Sequence, residues 1–113
     1  MTQFDEREQA FERQYELEEE RNFRVVAHAT KELGRWAAEK MGMTGEAVVA
    51  YIASALEADM ETAHHLRLLS KVSDDFVEKG VRVSPREIGR VYEAFLTRFR
   101  KEMLESEDVE CVG

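Results

Sequence analysis

Ser84-Pro85-Arg86-Glu87-Ile88-Gly89-Arg90-Val91-Tyr92 opens a helix, and the fold can be read outward from it. Serine caps exposed amides, proline suits the first helical position because it has no amide hydrogen to lose, and Glu87 stands where a capping box needs a carboxylate. Downstream, Ile88, Val91, Tyr92, Phe95, Phe99 and Met103 recur at spacings of three and four, so one face of this helix is apolar. Upstream, Gly80 ends a segment whose Leu69, Val72 and Phe76 share a stripe, since glycine accepts the left-handed backbone that stops a helix. Thr44 is the expected cap, with Glu46 in the first turn, of a helix carrying Val48, Ile52, Ala55 and Leu56. Gly42 closes a first helix whose inward residues are Val26, Leu33, Trp36, Ala37 and Met41.

The links at 42–44 and 80–84 are short, so sequential helices become antiparallel neighbours. Between the second and third helices, near Met60-Glu61-Thr62-Ala63, there is no glycine or proline. A break is expected there all the same, because an uninterrupted helix from 45 to 79 would run to about 35 residues, beyond the usual globular range. The fold class is therefore all-α. It is an antiparallel four-helix bundle over residues 23–104, with an N-terminal helical or disordered extension over 1–22 and an acidic tail over 105–113.

Composition narrows the class of protein. At 113 residues the chain has a single-domain length, and its 24 acidic against 16 basic residues give a formal charge of −8, which argues against a nucleic-acid binder. No apolar run approaches a membrane span, and Met1-Thr2-Gln3-Phe4-Asp5-Glu6 is too acidic for a secretory or transit peptide. The lone Cys111 forms no intrachain disulfide and sits third from the end, outside a prenylation signal, so a reducing cytosol fits. One proline and six glycines argue against an all-β chain. The charge sits at the ends: residues 1–22 hold eight acids against three bases, and 105–113 hold four acids and no base, leaving a nearly neutral body.

The extension is the unusual part. At 100° per residue, Phe4, Phe11 and Tyr15 fall within about 40° of one another on a helix surface. Asp5, Glu6, Arg7, Glu8, Glu12 and Arg13 stand around them. Three aromatics make too narrow a stripe to hold a helix in water, yet they suit a groove on another protein. The alternative is a continuation of the first helix that packs on its own bundle or in an oligomer.

Motifs for chemistry are missing. The sequence contains no G-x-x-x-x-G-K-[ST], no G-x-G-x-x-G, no H-E-x-x-H and no C-x-x-C. His64-His65 lies near Asp59 and Glu61, but adjacent helical residues point about 100° apart, so the pair reads as two solvent-facing histidines near a helix start. His28 reads as a boundary residue, with no nucleophile placed beside it by a motif. Asp74-Asp75 reads as part of a solvated face in a chain that is 35% charged. These residues build no active site, so the chain reads as a binding protein with no metal and no cofactor.

Taken together, these residues resemble a known family, the ζ subunit, the small inhibitor of the F-type ATP synthase in α-proteobacteria. Phe4-Asp5-Glu6-Arg7-Glu8-Gln9-Ala10-Phe11-Glu12 is similar to the family's F-D-[DE]-R-E-x-A-F-E opening. Leu33-Gly34-Arg35-Trp36-Ala37-Ala38-Glu39-Lys40-Met41-Gly42 resembles its L-G-x-W-A-A-E-x-x-G, and Lys71-Val72 with Asp75-Phe76 and Gly80-Val81 resembles its K-V-x-x-D-F-x-x-x-G-V. The similarity runs over about residues 2–100, nearly the whole chain.

The resemblance implies a four-helix bundle with a mobile inhibitory arm that enters a catalytic α/β interface near the central γ shaft and blocks rotation driven by ATP hydrolysis. The partners would then be the α, β and γ subunits, with the free protein a monomer held in the cytoplasm, peripheral to the inner membrane through the synthase and without direct membrane insertion. Phe4, Asp5, Arg7, Glu8, Phe11, Glu12 and Tyr15 would meet the partner, and Arg24, Lys31, Arg35 and Trp36 would be the residues left for nucleotide. Two stretches depart from the family. His28-Ala29-Thr30-Lys31 stands where R-R-N-K is common, and Glu61-Thr62-Ala63-His64-His65 where E-E-P-G-D is frequent. Losing two arginines removes forked donors suited to phosphate, so ADP or ATP binding is expected to be weak or absent. The alternative function is a diverged paralogue, acting as a general interaction module or homodimer without ATPase inhibition.

Overall fold

The computed structural model describes residues 2–60 and 65–112, with side chains described for 17–59 and 65–105. Four helices follow in order, α1 (Thr2–Lys40), α2 (Glu46–Met60), α3 (Leu66–Lys79) and α4 (Pro85–Val112). They pack in a ring in which each helix touches the next and α4 closes onto α1. α1 also reaches α3 across the diagonal, whereas among the described residues α2 and α4 do not meet. The chain is an antiparallel all-α bundle.

The helix ends carry the devices that the residues call for. Ser84 Oγ accepts the Glu87 amide at 3.2 Å, while the Ser84 carbonyl accepts the Ile88 amide at 3.1 Å, so α4 starts at Pro85. α3 stops at Gly80, whose φ of 72° allows its amide to reach the Val77 carbonyl at 3.2 Å and the Val81 amide to reach Phe76 at 2.8 Å. α1 ends on the same motif, with Gly42 at φ 78° and the Met43 amide on the Ala38 carbonyl at 2.9 Å. Thr44 differs from expectation. α2 begins at Glu46, with Gly45 intervening at φ 60°, and Thr44 contributes its carbonyl to the Ala47 amide at 3.3 Å. The glycine lets the chain turn one residue later than a threonine cap would.

α2 ends at Met60, and residues 61–64, on which the expected break falls, lie outside the described residues; α3 begins at Leu66, behind His65 in a left-handed conformation of φ 58°. Histidine is among the few non-glycine residues enriched there.

The core is layered from all four helices. Phe76, Leu33, Leu68, Ile88 and Val72 are its largest fully buried apolar side chains. Trp36 meets the ring of Phe76 edge-on at 5.6 Å, which is the diagonal contact between α1 and α3. Between α1 and α2 the approach is closer than ordinary side chains permit. A Cβ at Gly34 would stand 3.2 Å from Ile52 Cα and 3.4 Å from Ala55 Cβ, and the neighbouring Ala37, Ala38 and Ala55 are fully buried. Small residues let the two backbones come together, so dispersion contacts form between main chains.

Length then positions the N-terminal end. α1 has 39 residues and α2 has 15, so at 1.5 Å per residue α1 runs about 35 Å further than α2. The N-terminal half of α1 therefore extends past the α2 end of the bundle, with Glu18 to Val25 beside Arg100 to Leu104 of α4.

A substitution at Gly34 tests this close packing. Gly34→Leu has nowhere to go against the Ile52 backbone, and overpacking of this kind costs about 1–3 kcal/mol despite the higher helix propensity of leucine. Urea unfolding should show that loss, and a variant as stable as the parent would mean that α1 and α2 can separate freely.

Candidate partner-binding surface

The seven residues first assigned to a partner, Phe4, Asp5, Arg7, Glu8, Phe11, Glu12 and Tyr15, lie on the backbone of α1, and their side chains are outside the described residues. The surface next to them is described. Leu17 is 50% exposed, Phe23 69% and Leu104 56%, so large apolar groups face solvent on the paired ends of α1 and α4. Between these helices runs a groove lined by Glu18, Arg21, Asn22, Val25, Arg100, Met103 and Leu104. Arg24 is paired with Glu20 at 2.7 Å, one turn away. Both are exposed, so the pair is worth a few tenths of a kcal/mol to the helix.

The residues assigned to nucleotide are spread out. Arg24, Lys31 and Arg35 are exposed on α1, but Arg24 and Arg35 stand eleven residues apart, about 16 Å along the axis. That is too far for one phosphate group. Arg35 also holds Glu32 at 3.0 Å. Trp36 points about 100° away from Arg35 and is committed to the Phe76 contact. The structure brings Lys31 within one turn of Arg35, with the exposed His28 one turn before Lys31 on the same face of α1. Ala29 and Thr30, inside the stretch that departs from R-R-N-K, are fully buried. They face the core, so their identities answer to packing.

Thr30 also opens the polar network that the sequence did not reveal. Its hydroxyl and that of Tyr92 share a hydrogen bond at 3.1 Å inside the core. Tyr92 Oη lies 3.3 Å from His65 Nδ1, and the same nitrogen contacts the Asp59 carboxylate. A carboxylate accepts, so Nδ1 carries the hydrogen that meets Asp59, while between Thr30 and Tyr92 either hydroxyl can donate. His65 is thus half-buried and tied to α2 and α4, a correction to the solvent-facing reading; His64 lies outside the described residues. His28 does face solvent, stacked on Phe99 with ring centroids 5.5 Å apart.

A second cluster corrects the reading of Asp75. Asp74 is exposed, whereas Asp75 turns between α2 and α3, accepting from Tyr51 Oη at 2.8 Å and Lys71 Nζ at 3.0 Å. Lys71 also sits over the Tyr51 ring at 4.9 Å. Among the described residues every buried side-chain nitrogen or oxygen has a partner, and no three His, Cys, Asp or Glu converge as a metal site. No helix of the described residues is long and apolar enough to cross a membrane.

Comparison with known proteins places these surfaces in context. The sequence model of a family described as ATPase inhibitor subunit zeta matches residues 1–102, which takes in the N-terminal half of α1 as well as the bundle. No curated protein and no solved structure matches the chain.

The two tyrosine clusters set an alkaline limit on the fold. Burial, chiefly, pushes the Tyr92 hydroxyl up to about 12; the bond to Thr30 opposes this, and the Asp59 and Glu93 charges add to it. Tyr51 is raised still further by burial, then by its bond to Asp75 and the charge there. A raised folded value means that the folded state holds its proton more tightly. The stability this supplies is complete below the unfolded tyrosine value of about 10 and is lost as pH rises from there toward 12. Urea unfolding between pH 9 and 12 should show a steep fall in stability, smaller in Tyr92→Phe. Ionisation of both tyrosines near pH 10 in the folded protein, read at 295 nm, would contradict this.

Proposed function

The chain belongs to the ATPase inhibitor subunit zeta family, and on that premise we propose that residues 1–22 form an arm that enters a catalytic α/β interface of the F-type ATP synthase near its γ shaft and blocks ATP hydrolysis. As a member of an inhibitor family the chain is a regulatory protein and not an enzyme. The observation that carries the reading is the extent of the match, which covers arm and bundle together.

The chemistry of the arm supports an anchoring role. Phe4 and Phe11 are seven residues apart, two helical turns, and Tyr15 follows one turn later. Aromatics spaced in this way insert along one wall of a groove. Each buried anchor of this type is typically worth about 2 kcal/mol or more on truncation. Asp5, Arg7, Glu8 and Glu12 flank them, and their charges set the orientation of the arm against polar walls. The bundle, residues 23–104, holds the arm and stays outside the groove. The contacting subunits are α, β and γ, and the protein sits at the membrane only through the complex.

Nucleotide has little to hold it on this chain. Lys31 and the Glu32-paired Arg35 are the nearest cations on that face, and the departures at Ala29 and Thr30 turn inward. Losing charged phosphate contacts typically costs about 1.5–3 kcal/mol each, some tenfold to hundredfold in affinity. Titration with ADP to sub-millimolar concentration should therefore leave the amide shifts of Lys31, Arg35 and Trp36 unsaturated. Clear saturation there would restore a nucleotide site.

The arm itself is tested by Phe4→Ala with Phe11→Ala. The double variant should keep the thermal stability of the parent and lose most inhibition of ATP hydrolysis when added to the synthase from its own source. Equal inhibition by both proteins would remove the arm from the mechanism. No inhibition by the parent would instead favour an interaction module that has left the synthase.

A further inference from the structure

A protein of net charge −8 carries one basic face. Between Pro85 and Lys101, α4 has five basic residues against two acidic ones. Arg86, Arg90, Arg100 and Lys101 fall within a sector of about 100° of the helix, running some 22 Å along it, with Glu93 the acid among them. All are exposed, and Ile88, Tyr92 and Leu96 bury the opposite side. Elsewhere, arginines on α1 and α4 are held by carboxylates one turn away, as in the Arg24–Glu20, Arg35–Glu32 and Arg98–Glu102 pairs. These four cations make no ion pair or hydrogen bond among the described residues. A shallow groove lined by Ser84, Arg86, Glu87, Arg90, Val91 and Ala94 runs along the edge of this face, with Glu87 as its one acid.

We propose that this outer face of α4 is a second docking surface, seated on an acidic shoulder of the same complex that takes the arm. The proposal rests on the inhibitor reading above and names a contact which that reading does not contain. Charge selects the occupant. The acidic ends, with eight acids in residues 1–22 and four in 105–113, repel a polyanion such as nucleic acid before the stripe can meet it. Between its cations the stripe offers a membrane only Ala94 and Thr97, and Leu104, exposed one turn beyond Lys101, is a single side chain, too small a wedge to anchor the chain in a bilayer. A second copy brings a further −8. An acidic protein surface faces the same long-range repulsion, but the arm already holds it close, so local complementarity with the stripe decides.

The backbone of α1 is helical from Thr2 to Lys40, so arm and bundle are joined by one rod instead of a tether. Once the arm is seated, the outer face of α4 is held at a fixed place on the complex. Local complementarity then counts, even though the molecule as a whole is acidic.

Charge reversal tests the proposal in the full-length chain. Arg86→Glu with Arg90→Glu changes two exposed positions, and an acid in the first turn of α4 suits the helix dipole. If the pair alters the melting curve, Lys101→Glu, four turns further along, gives the same readout. Half-inhibition of ATP hydrolysis should need at least tenfold more of the reversed protein at low ionic strength, and its potency should depend less on salt than the parent's. Equal potency and equal salt dependence would overturn the second surface and leave the arm intact. A parent that does not inhibit at all would overturn the inhibitor reading, and this proposal with it. Parent binding to vesicles containing anionic lipid that is lost on reversal would assign the stripe to a membrane. A parent dimer by sedimentation that the reversal dissociates would assign it to a second copy.

Discussion

A hydroxyl group sealed in a small core has to find a partner, and Thr30 finds Tyr92 at 3.1 Å. From that contact the polar chain passes to His65 at the start of α3 and to Asp59 near the end of α2. Four helices are thereby registered by one line of hydrogen bonds. Apolar packing alone would tolerate one helix sliding along or rotating against another. The relay does not, because a shift of one turn would leave Thr30 or Tyr92 unbonded in the interior, at a cost of about 1–3 kcal/mol. The left-handed backbone at His65 belongs to the same arrangement, since it turns the chain out of α2 while aiming the imidazole back between Asp59 and Tyr92.

Helix ends were readable because each depends on a few adjacent residues. Ser84, Gly80 and Gly42 act where their local chemistry puts them. Helix faces were readable to within one residue. Where two apolar residues are adjacent, periodicity chose Val26, Leu69 and Phe95, while the bundle buries Val25, Leu68 and Leu96 more deeply and half-buries the others. Neighbours differ by about 100° around the helix, which is the width of an ordinary apolar stripe. The deeper one is decided by how the helices cross, and crossing geometry is not a local property. The relay was illegible for a related reason: Thr30 and Tyr92 are 62 residues apart, and each alone is an unremarked polar side chain.

Family membership was legible in the sequence, most strongly in the N-terminal segment. The spacing of Phe4, Phe11 and Tyr15 can be counted without a structure, as can the acidic ends. The basic side of α4 was concealed by averaging, because the whole body is nearly neutral and the whole chain is −8. Its signal was the recurrence of Arg86, Arg90 and Lys101 at helical spacing, which takes on meaning once the opposite face is known to be buried. The putting-together of arginines for phosphate fails for the opposite reason. Arg24 and Arg35 match by residue type, but the axial rise of α1 separates them and local glutamates occupy both.

The continuity of α1 links the stability of the bundle to the behaviour of the arm. A free segment of 22 residues with three aromatics would have to nucleate its own helix, and nucleation is the unfavourable step. Here Val25, Ala29, Leu33 and Ala37 already fix the helix from within the core. Extension toward Thr2 is then propagation, one hydrogen bond for each residue ordered, assisted at the junction by the Arg24–Glu20 pair. Under the proposed insertion, less ordering would be left to be done in the partner's groove, and more of the aromatic burial would count toward binding. The packing of Gly34 against Ile52 and the Thr30 relay hold the nucleus from which the N-terminal half of α1 extends, and under the proposed insertion they would act on inhibition from a distance.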